Sequence, residues 1–302
     1  MRISIGVSNP SFPDGPVHGL TRIATQADDS AIDTLWLPDH LVQVDPTAPP
    51  GDVAHLEAYT ALGWLAARTD RIRLGAMVSP APFREPAVLV AAVTTLAVLS
   101  AGRAWLGLGA GHHAGEATDL GLPFPAVASR MDRTEDALRL ARRIWAGDER
   151  PFRGRTIDME RPRLSPLPAV PPPILVGGAG EKRTLKLVAR YADACNVFDL
   201  PDDGRTVRHK LDVLAGHCAA VGRSPREIQV TLSSRLGPDE TADELVARAR
   251  QAAGWGIDHL ILVTSAPWTT ANVSVVARAC DRIADVRVRP WWAGLASEDS
   301  EG

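Results

Sequence analysis

The chain has 302 residues, 45% of them hydrophobic and 23% charged, so it carries enough apolar surface for a sizeable core and is not globally disordered. Thirty-three basic residues against 36 acidic ones give a net charge of −3, which leaves no overall positive field to hold a nucleic acid. Cys195, Cys218 and Cys280 are odd in number, widely spaced and without a CxxC pair, which argues against a disulfide framework or a structural zinc site and reads as small buried hydrophobes.

Ile3, Ile5 and Val7 alternate with Ser4, Gly6 and Ser8, a period of two that marks a first strand opening into the turn at Asn9-Pro10. A helix is expected over 17–30, then a short apolar strand over 34–37 that ends at Pro38-Asp39-His40. A helix over 54–68 precedes a strand over 72–78. The next helix, over 86–99, has proline in its first turn, where the missing N–H costs nothing, and leads to a strand over 104–109. Met131, Thr134, Leu138, Ala141 and Trp145 recur at spacings of three and four, which puts them on one helix face. Four further strands are expected at 174–176, 192–197, 228–233 and 259–263, with helices near 182–190, 206–221, 240–253 and 273–284.

Eight strands alternating with helices predict an α/β fold, a (β/α)8 TIM barrel, and short uniformly apolar strands suit a sheet covered on both faces. A doubly wound sheet is the alternative, because periodicity does not reveal closure. The expectation is one domain over 1–290 and a C-terminal extension over 291–302, frayed at 298–302. Loop insertions at the C-terminal mouth fall at 42–53, 110–130 and 150–172, the last rich in proline, and pocket shape is expected to depend on these and on the loop over 235–239. Arg130 and Arg153, within these loops, read as surface or interface groups. Trp36, Trp64, Trp105 and Trp145 fall mostly on core faces, and Trp291-Trp292 suits a barrel cap or an oligomer contact. The N-terminus lacks a signal-like apolar run and no segment offers 18 charge-free apolar residues, so no membrane partner and a cytoplasmic location are expected.

Barrel chemistry sits at the carboxyl ends of the strands, which directs attention to Asn9, Asp39, His40 and Ser79, the glycine-rich stretches 109–113 and 177–180, and Asn196, Ser234 and Thr264. Asp39-His40 pairs a carboxylate with the side chain that titrates near neutrality, a candidate proton acceptor or a plain turn pair. Gly107-Leu108-Gly109-Ala110-Gly111-His112-His113 lets backbone approach a flat ligand or forms a tight corner. Its GxGxxA lettering lacks the dinucleotide context, since it follows the fourth strand and no helix is expected directly after it. His112, His113, Glu116 and Asp119 lack metal-ligand spacing, and no metal is expected. Gly177-Gly178-Ala179-Gly180-Glu181-Lys182-Arg183-Thr184 ends a strand in glycines before a helix, a composition suited to phosphate or to a simple connection.

In their order and spacing, ISIGVSNPSF, DTLWLPDHL, TDRIRLGAMVSP, FREPAVLVAAVTTLAVLSAGRAWLGLGAGHHAGE, SRMDRTEDALRLARRIW and PPPILVGGAGEKRTLKLVARYADACNVF resemble the luciferase-like flavin and deazaflavin-dependent oxidoreductases, most nearly their F420-dependent branch. The resemblance runs from Met1 to about Phe198 and continues weakly through the last two strands. It implies a TIM barrel, coenzyme F420 (alternatively FMN), a homodimer, and hydride transfer between the deazaflavin and a small organic substrate. It also implies that Asp39-His40 lies near the reacting ring, with His40 a proton-transfer residue or substrate ligand and Asp39 organising the turn. Met77-Val78-Ser79 would carry a strained or non-proline cis peptide behind the cofactor ring, and Gly109-Ala110-Gly111 would turn against it. His112 stands where the family often has tryptophan. Gly177, Gly178, Ala179, Gly180 and Thr184 would cradle phosphate, Asn196 would reach the ring edge, and Asn9 completes the cofactor set. The alternatives are an FMN-dependent monooxygenase and, beyond the resemblance, a metal-dependent hydrolase or a noncatalytic small-molecule-binding barrel.

Overall fold

In the computed structural model, which describes residues 1–292, strands and helices alternate as β1 (Arg2–Gly6), α1 (Pro16–Asp28), β2 (Thr34–Leu37), α2 (Ala58–Ala66), β3 (Arg73–Ala76), α3 (Pro86–Leu99), β4 (Ala104–Gly109) and α4 (Val127–Trp145). The second half continues through β5 (Ile174–Gly177), α5 (Thr184–Tyr191), β6 (Ala194–Phe198), α6 (Arg205–Ala220), β7 (Gln229–Arg235), α7 (Ala242–Gly254), β8 (His259–Val263) and α8 (Thr270–Ile283). Each strand pairs in parallel with its sequence neighbours. The ring closes where β1 meets β8, from Arg2 opposite His259 to Gly6 opposite Val263. The chain is therefore a (β/α)8 barrel, and closure rules out the doubly wound alternative. Residues 298–302, expected to fray, lie outside the described residues, as does all of the extension beyond Trp292.

Large and absent side chains fill the barrel interior together. Trp36 and Trp105, with ring centroids 5.6 Å apart, pack with Leu175, Ala194 and Ile261. They fit because Gly75 lies between them: a Cβ there would sit 2.6 Å from the Trp36 ring and 2.8 Å from the Trp105 Cβ, a clash the close-packed interior cannot absorb. One layer below, Ser4 and His259 are fully buried and hydrogen-bonded across the β1–β8 seam, with Gln229 on the other ring nitrogen at 3.1 Å. Burial holds the His259 imidazole far below its ordinary pKa, against the pull of Asp33. Outside, the helices bury one stripe each, as α1 does with Leu20, Ile23, Ala24 and Ala27.

Several expectations need correction. The strand predicted over 72–78 stops at Ala76, and the chain passes through a cis Met77-Val78 peptide before re-pairing at Ser79–Pro80 with Leu108 and Gly109. A six-residue helix, Ala114–Asp119, does start directly after the GLGAGHH turn, capped by His113, whose Nδ1 accepts the Glu116 N–H at 3.0 Å. The 150–172 insertion holds a small antiparallel hairpin, Phe152–Arg153 with Asp158–Met159. Trp64 is exposed, with Arg68 stacked 4.1 Å from its ring centroid. Arg130 is buried, because its guanidinium donates to the Ala110 and Pro125 carbonyls and stacks on Phe124, so it braces a loop. The three cysteines are free and buried. No described helix is long and apolar enough to cross a membrane.

Candidate active site

A cavity of about 1040 Å³ opens at the carboxyl ends of the strands. On one side stands His40, just beyond β2, with its Nδ1 2.6 Å from Glu116 Oε2. Glu116, in the short helix, is 1% exposed and also accepts the Leu41 N–H. Burial alone would push this carboxyl up, but hydrogen bonds from His40, Leu41 and Val42 hold it below the ordinary carboxylate value. An ionised carboxylate only accepts, so Nδ1 carries the proton and Nε2 is the ring nitrogen Glu116 leaves unengaged.

Asp39 points the other way. It is fully buried behind the wall and takes a two-pronged bond from Arg84, at 2.5 and 2.8 Å, because Arg84, on the connection into α3, also reaches Glu57 at the start of α2. The neighbouring pair is thus not a dyad. Sequence reading weighed Glu116 only as a metal ligand; its partnership with His40 was missed because 76 residues separate them. The one local hint was the His113-x-x-Glu116 spacing, which has the form of a helix cap.

His112 lines the same wall, edge-on to His40 with centroids 5.5 Å apart. Burial, then the neighbouring His40 and His113 rings, lower its pKa. The floor comes from Met77 and Val78, with Gly109, Ala110 and Gly111 on one flank and Gly177 and Gly178 on the other. Glycine is required here by contact: a Cβ on Gly109 would meet Val78 Cγ2 at 2.8 Å, and one on Gly177 would meet both Val78 methyl groups at 2.8 and 2.9 Å. The floor is therefore flat and apolar. Gly178 takes φ +101°, which L side chains rarely adopt. Beyond it α5 begins with no side-chain cap, and Thr184 lines the cavity.

Asn196 lines the cavity from β6, its amide donating to Thr231 Oγ1 at 2.9 Å and Ser233 Oγ at 3.0 Å. Besides His113 and Thr264, which were noted only as strand-end residues, five residues assigned to catalysis or cofactor binding lie off the wall. Asp39 is one; Asn9 is buried and joins Asp52 at 2.8 Å to the Ser265 carbonyl at 3.0 Å. Ser79 is buried against the Tyr59 hydroxyl at 2.8 Å. Ala179 packs against the core, and Gly180 sits against Thr184. Arg183 is turned outward to Asp132 and the Ala128 carbonyl. On the far side the lining includes Phe198, Asp199, Leu200, Ser234, Arg235 and Arg248; sequence reading named Ser234 as a strand end and the loop from Arg235 as one that shapes the pocket.

The chain matches the family model described as luciferase-like monooxygenase over residues 2–300. It is 30% identical over 239 residues to the F420-dependent glucose-6-phosphate dehydrogenase of Kineococcus radiotolerans, covering 76% of this chain and 67% of that protein. The protein of the same name from Beutenbergia cavernae is 32% identical over 308 residues, covering 100% of this chain and 85% of its own length. A solved F420-dependent secondary alcohol dehydrogenase in complex with an F420-acetone adduct superimposes with a TM-score of 0.78 at 18% identity, over 92% of this chain and 98% of that one. At that identity the likeness concerns the fold.

Proposed function

The chain belongs to the luciferase-like monooxygenase family, and from that premise we propose that it is an F420-dependent oxidoreductase acting on a small organic substrate, with His40 as the proton-transfer residue. The cavity fits the coenzyme. A planar ring needs a flat floor, and any side chain at Gly109 or Gly177 would collide with Val78. A phosphate needs donors, and the uncapped first turn of α5, the Gly177-Gly178 backbone and the Thr184 hydroxyl supply the right chemistry. When bound, F420 supplies the ring carbon that accepts or gives the hydride.

The rest belongs to the protein. His40 Nε2 takes the hydroxyl proton when the substrate is oxidised and returns one when it is reduced. Glu116 is a positioning residue: by accepting from Nδ1 it fixes the tautomer and ring angle. His112 adds a second imidazole to the same wall, where burial favours its neutral form. The observation that carries the reading is the His40–Glu116 pair standing beside a glycine floor in one cavity.

Separate titrations of apoprotein with F420 and FMN, followed by turnover with whichever binds, test this. F420 binding with hydride exchange is expected; tighter FMN binding with FMN-supported oxygenation reverses the assignment. A homodimer is proposed as well. All 14 residues of α3 are uncharged, yet Val88 and Leu99 are exposed on it, and a helix apolar on every side is normally covered. Light scattering should give twice the chain mass.

A further inference from the structure

The loop proposed to receive the cofactor phosphate consists of three glycines and one alanine over 177–180, a composition that loses much conformational freedom when held in one shape. A ligand that had to order such a loop itself would bind more weakly by that entropy. The far end of the loop is already tied down by side chains from both neighbouring helices.

Glu181, directly after Gly180, is held by α6 at two of its groups. Its main-chain carbonyl stands 2.7 Å from His217 Nε2; a carbonyl only accepts, so that nitrogen carries the proton. Its carboxylate accepts from Lys210 Nζ and lies 3.1 Å from His209 Nε2. Lys210 first, and His209 after it, hold the Glu181 carboxyl below its ordinary value. His209 is 60% exposed, so its contact contributes little, whereas Lys210 is only 20% exposed. Lys210 and His217 are seven residues apart, two turns along one face of the helix. On the other side, Arg183 donates to the Ala128 carbonyl at 3.1 Å and to Asp132, both on α4. Between these anchors the Leu185 N–H closes on the Gly180 carbonyl at 3.0 Å. Neither Lys210 nor His217 lines the cavity.

We propose that Lys210 and His217 are positioning residues for the cofactor: acting through Glu181, they hold the loop over 177–180 and the first turn of α5 in the phosphate-receiving shape before the ligand arrives. The inference rests on the cofactor reading of that loop and adds a source of affinity that lies outside the cavity.

Hydrogen exchange of the apoprotein and fluorescence titration with F420, on the same preparations, test it. His217→Ala and Lys210→Met should each speed exchange of the Leu185 amide and weaken F420 binding about three- to tenfold, the worth of one hydrogen bond. His217→Gln, whose amide still donates to the Glu181 carbonyl, and Lys210→Arg should restore both readouts. Once Glu181→Ala has removed the carboxylate, Lys210→Met should have no further effect, which a general role in helix packing would not produce. Unchanged affinity in folded His217→Ala and Lys210→Met, equal losses in the alanine and glutamine variants, or a Lys210→Met loss that persists without the Glu181 carboxylate overturns the inference. Gly178→Asp tells its failure from that of the underlying reading. If that variant weakens F420 binding while the clasp variants do not, the clasp alone falls; if all of them leave affinity unchanged, the phosphate reading of the loop falls and the clasp with it.

Discussion

Asp39 and His40 are consecutive, yet one side chain is sealed behind the wall against Arg84 and the other faces the cavity. Substitutions should separate them. His40→Ala, measured by steady-state turnover and F420 titration, should lower kcat by about 10² to 10⁴ while cofactor affinity holds. Glu116→Gln should cost less in kcat, because a neutral amide keeps the contact but no longer dictates the tautomer, and it should displace the pH profile of kcat/KM; an unmoved profile assigns Glu116 to structure alone. Asp39→Asn, by contrast, leaves Arg84 facing a neutral amide in a buried pocket. Breaking a buried pair costs about 3 to 5 kcal/mol when the remaining charge is unpaired, and because Arg84 keeps Glu57 the loss should fall below that range; it will appear in urea unfolding, with kcat per folded molecule changing far less than in His40→Ala. Nothing local to Asp39-His40 could have revealed this split, since the deciding partners, Arg84 and Glu116, lie 45 and 76 residues away.

The elements most legible in the sequence are those whose ends are set by their own residues. Helix α3 starts at a proline and stops at the Ser100-Ala101-Gly102 turn, where Ala101 and Gly102 take positive φ, and its bounds agree with expectation. Strands β2, β4 and β8 do the same, as short apolar runs flanked by turn residues. The break after Ala76 was hidden from periodicity because Ala76-Met77-Val78 is as apolar as any strand; only the family resemblance pointed to the cis peptide found at Met77-Val78. The helix Ala114–Asp119 was missed because AGEATD has no apolar period, and tertiary contact with His40 and Leu41 rather than propensity holds it in place. The glycine floor was readable as composition, but which glycines face the cavity depends on β3, β4 and β5 lying side by side. Gly178→Asp probes that stretch, because it forces a side chain into φ +101° and places a negative charge before α5. Loss of one charge-assisted hydrogen bond to phosphate, about 1.5 to 3 kcal/mol, should weaken F420 binding more than tenfold in fluorescence titration. Unchanged affinity in folded protein removes this loop from the cofactor site.

At the scale of the whole molecule, the barrel is only as secure as its β1–β8 seam, where the fully buried Ser4 and His259 are hydrogen-bonded to each other. The folded state resists protonating His259, whereas the unfolded chain protonates it near its ordinary value of about 6.5. Stability contributed by the neutral ring is therefore complete above that value and is lost as the pH falls below it, at up to about 1.4 kcal/mol per pH unit from this one group. Urea midpoints measured from pH 8 to pH 5 should decline accordingly, and His259→Asn should flatten the decline. The seam also has a history during synthesis. Its two strands are the first and last of the ring, so a chain emerging from the ribosome exposes the bare edge of β1 until residue 263 has been made. Unpaired edges recruit other strands, which makes the interval between the first and the final strand the period when a nascent chain most needs a chaperone, and makes premature termination before β8 a source of aggregates rather than of a smaller enzyme.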